Sequence, residues 1–427
     1  MKARILTFIL ALAATATAQE LRRPQDGDHH LLILDSKTLE LEIVTRKLKG
    51  QPMPYWDVVN ENSSVNLPAP GEFKVLINGE PASSSVVKLG YKRRPLYAPL
   101  GNHDLRIGTQ IYLMLASPLD LNEGDTVEVR LPESLKSPAG ASFSTRYSAR
   151  RKSPAIHINQ VGYQTGFSKQ AIVGYYLGDA GELPLESAKV FYLRDRKTGK
   201  KIHSGAVKRI RDVGFPFPEG QYQRVLTLDF TTFDTPGEYV IGIGALGESL
   251  PLTISDGMFA CIARTYALGI YHQRSGVEIG MPYSRFAHAA SHTQPVRIPR
   301  ADDDMANSLL DGMAEKPHKD QKAPELTSYA SSLYPIQKKG TIDAIGGHHD
   351  AGDYSKYTTN CAQLINHLMF AYDALPGVAE LDNLGLPESG DGIGDLMQIA
   401  LHEAKFLSQL QDDDGGFFFL VYPDDRK

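Results

Sequence analysis

The 427-residue chain is poor in several things at once: it has two cysteines, one tryptophan, no excess of basic charge, and after its first residues no long apolar run. Two thiols, Cys261 and Cys361, cannot supply a disulfide framework, and their spacing matches no zinc pattern. Both are expected as buried small apolar residues rather than as a bridge. With 45 Lys and Arg against 50 Asp and Glu, the net charge of -5 disfavours nucleic acid as a partner. No run beyond the N-terminus is long enough to cross a bilayer, so no membrane partner is expected. No Gly-rich phosphate loop lies between a strand and a helix, and no Ser or Cys stands in a nucleophile elbow. Covalent catalysis therefore has little support.

What is present begins with Lys2 and Arg4, an apolar run from Ile5 to about Ala14, and Ala16-Thr17-Ala18 before Gln19. This is the pattern of a secretory signal peptide over residues 1–18, and the remainder is expected to be secreted or periplasmic. The length implies two to four domains. From 19 to 150, short apolar runs such as Leu31–Leu34, Leu39–Val44, Phe73–Ile77, Ile111–Leu115 and Thr126–Leu131 alternate with turn residues, which predicts a β-sandwich. Tyr55 and Trp56 lie here, as packing aromatics or as a sugar platform. The basic stretch Arg146–Pro154 reads as a linker or domain edge. A second sandwich is predicted over 154–255, with strands at Gln170–Leu177, Lys189–Leu193, Tyr222–Phe230 and Glu238–Ile243 and a turn at Thr235-Pro236-Gly237. After Ser255 the period changes from two to near 3.6. Phe259, Ile262, Ala263, Tyr266 and Ile270, then Leu364, Leu368, Tyr372 and Leu375, then Leu396, Ala400, Ala404, Leu407 and Leu410 recur at helical spacing.

The densest chemistry is Gly346-Gly347-His348-His349-Asp350-Ala351-Gly352-Asp353-Tyr354-Ser355-Lys356-Tyr357. Two carboxylates separated by Ala and Gly can share one small volume, where joint ionisation is resisted and a water can be deprotonated. Asp-Gly-Asp ahead of a helical pattern is also ordinary turn and N-cap chemistry. His288 and His292, four apart, would share a helical face and could meet a metal, although a structural role is favoured. Asp412-Asp413-Asp414-Gly415-Gly416 offers carboxylates for calcium without the full ligand pattern and reads better as a helix-ending turn. No cofactor is expected.

The string GGHHDAGDYSKY, followed by Asn360, resembles the nucleophilic-water motif of glycoside hydrolase family 9, with His348 where that family usually has Trp. The opening Ile156-His157-Ile158-Asn159-Gln160-Val161-Gly162-Tyr163-Gln164 and the close Phe233-Asp234-Thr235-Pro236-Gly237-Glu238-Tyr239-Val240-Ile241 resemble the immunoglobulin-like domain that precedes the catalytic domain in one branch of it. Tyr271–Gly276, Tyr283–His292 and Pro387–Gly390 resemble further family stretches.

The chain is expected to be multidomain, with two N-terminal β-sandwich domains, immunoglobulin-like. The resemblance, which runs from about Ala155 and leaves the first sandwich outside it, implies that from 256 to 427 there follows the first part of an all-α barrel of six helical hairpins. It implies an inverting hydrolase acting on β-linked glucan or an oligosaccharide, with Asp353 as general base and Asp350 as its partner on the water. His348, His349, Tyr354 and Tyr357 are the substrate-binding candidates it suggests. Inversion needs a second carboxyl roughly 6.5–9.5 Å from the base. In the family this is a late Glu, expected beyond Lys427, so that this chain alone is expected to be inactive. The single Trp leaves few stacking platforms, and a soluble glycan fits as well as crystalline cellulose. The alternative is a non-catalytic carbohydrate-binding or surface-interaction protein.

Overall fold

The computed structural model describes residues 23–99, 104–137, 140–209, 225–298 and 336–423. The expected signal peptide lies outside them. The described residues fall into two compact units that divide between Met258 and Phe259.

The first unit opens with β1 (His29–Ile33), β2 (Thr38–Lys47), β3 (Lys74–Ile77), β4 (Glu80–Pro81), β5 (Val86–Tyr97), β6 (Leu105–Leu115), β7 (Thr126–Arg130) and β8 (Ser142–Arg146). They form two four-stranded sheets, in the orders β1-β2-β6-β5 and β4-β3-β7-β8. Alternation explains the packing. Leu39, Leu41 and Ile43 of β2 and Ile111 and Leu113 of β6 enter a core that they share with Val127, Val129 and Phe143, while the residues between them face the other way. Trp56 is buried in that core, tilted against Phe143 with ring centroids 5.6 Å apart. It is a packing residue.

The same unit continues with β9 (Ile156–His157), β10 (Tyr163–Gln164), β11 (Gln170–Val173), β12 (Val190–Asp195), β13 (Lys201–Arg209), β14 (Leu226–Asp229), β15 (Gly237–Ile243), β16 (Gly247–Glu248) and β17 (Leu252–Ser255). The order is β10-β17-β15-β12-β13-β14-β11-β9, and β13 pairs first with β12 and then, past Ala206, with β14. Phe191, Leu193, Leu228, Phe230, Ile241 and Ile243 are its buried centre. The basic stretch read as a linker or domain edge is fastened to both sandwiches. Arg151 donates to the carbonyls of Ile33 at 2.6 Å and Ala245 at 2.8 Å, and the Ser153 amide donates to Glu248 at 2.7 Å.

The second unit holds α1 (Met258–His272), β18 (Val296–Arg297), β19 (Thr341–Ile342), β20 (Lys356–Tyr357), α2 (Thr358–Ala374), α3 (Asp395–Gln409) and β21 (Leu420–Val421). Three helices among the described residues are consistent with part of a helical barrel. Helical spacing located α1 but not its inner face: Ala267 and Tyr271 are buried, whereas Phe259 and Tyr266 are exposed. Phe370 of α2 and Leu401 of α3 are exposed as well. Both cysteines are free; Cys361 is buried as expected, and Cys261 is exposed on α1. No described helix is long and apolar enough to cross a membrane.

Candidate active site

The turn from Gly346 to Lys356 is anchored on the chain that leaves α1. The Ser275 amide donates to the Gly347 carbonyl at 2.9 Å and the His349 amide to that of Gln273 at 2.7 Å, with Arg274 bridging His348 between them. Arg274 is itself fixed by a two-pronged ion pair with Glu388. Under the turn, Lys356 is wholly buried. Its ammonium donates to the carbonyls of Ala344 at 2.5 Å and Gly346 at 2.9 Å and to Ser275 Oγ at 3.2 Å, and lies 4.2 Å from the centroid of the Phe406 ring. Burial pulls its pKa down to about 7.

Gly347 shows why glycine stands there. Its φ is +72°, and a Cβ would lie 2.4 Å from Cδ1 of Phe406. Gly347→Ala should therefore destabilise the second unit by about 2–4 kcal/mol, from the left-handed backbone and the overlap together. A lowered urea midpoint checks this, and an unchanged midpoint would contradict it.

The two carboxylates stand on the upper side of the turn, Asp350 exposed and Asp353 half-buried. Asn360, from the first turn of α2, donates to Asp350 Oδ1 at 2.5 Å. Ser355 gives Asp353 two bonds, amide to Oδ1 at 3.2 Å and hydroxyl to Oδ2 at 3.0 Å. The Asp350 amide donates to the Ser355 carbonyl at 2.8 Å, which closes the loop, and Tyr354 takes a left-handed φ of +60°. These bonds fix the direction of both carboxylates.

The neighbouring side chains divide by depth. His348 is buried and its Nδ1 bonds Glu403, a carboxylate wholly buried on α3. His349 is also buried, bonded through Nε2 to Ser291 Oγ at 2.7 Å and stacked on Tyr354 with centroids 4.5 Å apart. Burial, then the nearby His292, Lys356, His288 and His348, hold its pKa down to about 4. Tyr354 and Tyr357 are half-buried, Tyr357 edge-on to Phe419 at 5.8 Å. Beside Tyr354 opens a cavity of about 420 Å³, lined by the segment His288–Val296 with Tyr422 and Pro423.

The helical pairing expected of His288 and His292 does not occur, because that segment is not helical: His288 bridges Ile279, and the two rings bond the carbonyls of His272 at 3.2 Å and Tyr354 at 2.8 Å. Asp412 accepts from the amides of Gln337 and Lys338, both at 2.8 Å, which is turn chemistry. Sequence reasoning missed Ser355, Ser291 and Glu403. Glu403 alone carried a signal, as an acid on the buried stripe Ile399, Phe406, Leu410.

Residues 151–248 match the family model described as cellulase N-terminal ig-like domain, and residues 261–424 match that of glycosyl hydrolase family 9. The family 9 match thus covers most of the second unit, and the ig-like match lies in the second sandwich before it. Both matches lie beyond residue 150, so the first sandwich is outside them.

The chain is similar to the xyloglucan-specific endo-beta-1,4-glucanase of Bacteroides ovatus, at 24% identity over 62% of this chain and 38% of that protein. Endoglucanase D of Acetivibrio thermocellus is 21% identical over 61% of this chain and 34% of its own length. A crystal structure of a metagenome-derived family 9 endoglucanase aligns with a TM-score of 0.47 at 25% identity, covering 62% of this chain and 42% of that one. The chain thus spans well under half the length of these relatives.

Proposed function

We propose that this chain supplies the water-activating half of an exported, inverting glycoside hydrolase that cleaves β-1,4-linked glucan chains. Asp353 is the general base and Asp350 the second acceptor that orients the attacking water. The observation that carries this reading is the turn itself, which fastens Lys356, His348 and His349 inward while leaving Asp350 and Asp353 toward solvent. A pure capping role would instead bury these carboxylates on helix amides.

His348 acts as a positioning residue, held by Glu403 beneath the motif. His349 supports the Tyr354 ring, and Tyr354 and Tyr357 are the stacking surfaces for sugar. The names of the relatives, a xyloglucan-specific endo-beta-1,4-glucanase and an endoglucanase, support a β-glucan substrate. The proton donor is a further carboxyl, outside the turn. The test is proton NMR of the natural gene product containing this chain, acting on a β-glucan oligosaccharide. The α-anomer should appear first, and initial release of the β-anomer would overturn inversion.

A further inference from the structure

The outer face of β2 carries a polar cluster that the proposed hydrolysis does not use. β2 reads Leu39-Glu40-Leu41-Glu42-Ile43, and alternation sends the apolar three into the core and both glutamates to the opposite face. Register sets His30 of β1 directly across from Glu42, and Tyr112 and Gln110 of β6 directly across from Glu40 and Glu42. Residues so paired share a sheet face. His30 Nε2 stands 3.6 Å from Glu40 Oε1, and His30 Nδ1 stands 3.7 Å from Glu42 Oε1. One ligand atom from each of His30, Glu40 and Glu42 lies within 4.8 Å of the others.

Those separations are too long for hydrogen bonds. Glu40, only 2% exposed, is held through its other oxygen by the Tyr175 hydroxyl at 2.6 Å, and Gln110 donates its amide to Glu42. Lys92, a neighbouring cation, sits over the Tyr112 and Tyr175 rings at 5.2 and 5.0 Å and donates to the Tyr176 carbonyl at 3.3 Å. A second observation is independent of the carboxylates. Gln110 is 1% exposed, yet its Oε1 has no hydrogen-bond partner, and neither has His30 Nε2. Unsatisfied polar atoms buried around acidic groups are the signature of a place for an ion and its water.

We propose that His30, Glu40 and Glu42 bind one divalent transition-metal ion, Zn²⁺ by donor set, with a metal-bound water donating to Gln110 Oε1. One imidazole and two carboxylates suit zinc at four-coordination and are too few, and too nitrogenous, for calcium. The ion neutralises one buried and one half-buried carboxylate. Because Tyr175 of the ig-like domain is bonded to Glu40, it also fastens the first sandwich to the second. The rival occupant is a proton: burial lowers the His30 pKa, but Glu40 and the charge of Glu42 more than offset this.

The test is calorimetric titration of the metal-stripped full chain with ZnCl₂. One site with a Kd below about 10 µM is expected, together with a raised melting temperature. Glu42→Gln and His30→Gln should each weaken binding by about tenfold or more. His292→Gln, in the other unit, should leave it unchanged. X-ray absorption at the zinc edge of the wild type should then show a single imidazole among oxygen ligands, a readout that does not depend on either variant folding. No uptake, uptake indifferent to His30 and Glu42, or a shell with two or more imidazoles or a thiolate would each overturn the proposal.

Discussion

Asp353→Asn is expected to lower kcat on β-glucan by about 10²–10⁴-fold in the natural product that contains this chain, with KM changed little. The amide keeps the size of the carboxylate and can still meet the Ser355 hydroxyl, which bonds Asp353 Oδ2 at 3.0 Å. What it loses is the ability to take a proton from water. A structural role for Asp353 would show up instead as a lower unfolding midpoint at unchanged kcat per folded molecule, which would contradict the proposed chemistry. Asp350→Asn should cost less, since its bond from Asn360 Nδ2 at 2.5 Å marks it as an orienting acceptor. If the two variants lose activity equally, the division of labour between them is wrong.

How much of this was legible beforehand depends on whether the signal is local. The motif is local: Asp350 and Asp353 lie three residues apart, and the glycines before them announce a turn. Strands with period two were equally readable, and β2 lies where Leu39–Val44 predicted it. β13, in contrast, reads KIHSGAVKR, with few apolar residues and an internal glycine, because it runs from one partner strand to another and buries little. Nothing in such a stretch advertises a strand.

The site beneath the turn was less legible, because its contacts span long separations. Glu403 meets His348 across 55 residues, and Ser291 meets His349 across 58. The His30, Glu40 and Glu42 cluster is invisible in the linear order for a related reason. Only the register of β1 on β2 turns three scattered polar residues into one facing group. Spacing also misled: four residues between His288 and His292 imply a shared face only inside a helix, and the bridge from His288 to Ile279 precludes one. On α1, the apolar residues Phe259 and Tyr266 follow helical periodicity but remain exposed, so hydrophobicity identified the helix without identifying which side is packed.

The buried histidines make the second unit sensitive to acid well above the range in which carboxylates matter. His349 and His402 both have pKa values held down to about 4, in each case first by burial. His292, Lys356, His288 and His348 add positive charge around His349, and His348 and Arg274 do so around His402, with Glu403 opposing. An unfolded chain protonates both at about 6.5. Between these values the unfolded state binds more protons than the folded one, so stability is complete above about pH 6.5 and is lost as pH falls toward 4. For His349, which is nearly inaccessible, the shift corresponds to about 3 kcal/mol; for the more exposed His402 it is smaller. Near pH 5.5 unfolding should take up close to two protons through this pair. His349→Gln keeps a donor for Ser291 and should reduce that uptake by about one proton, flattening the dependence of the urea midpoint on pH between 6.5 and 5. His30, whose pKa is raised, contributes with the opposite sign in wild type and variant alike, so the difference between the two profiles isolates His349. Profiles that run parallel over that interval would mean that His349 is charged in the folded protein.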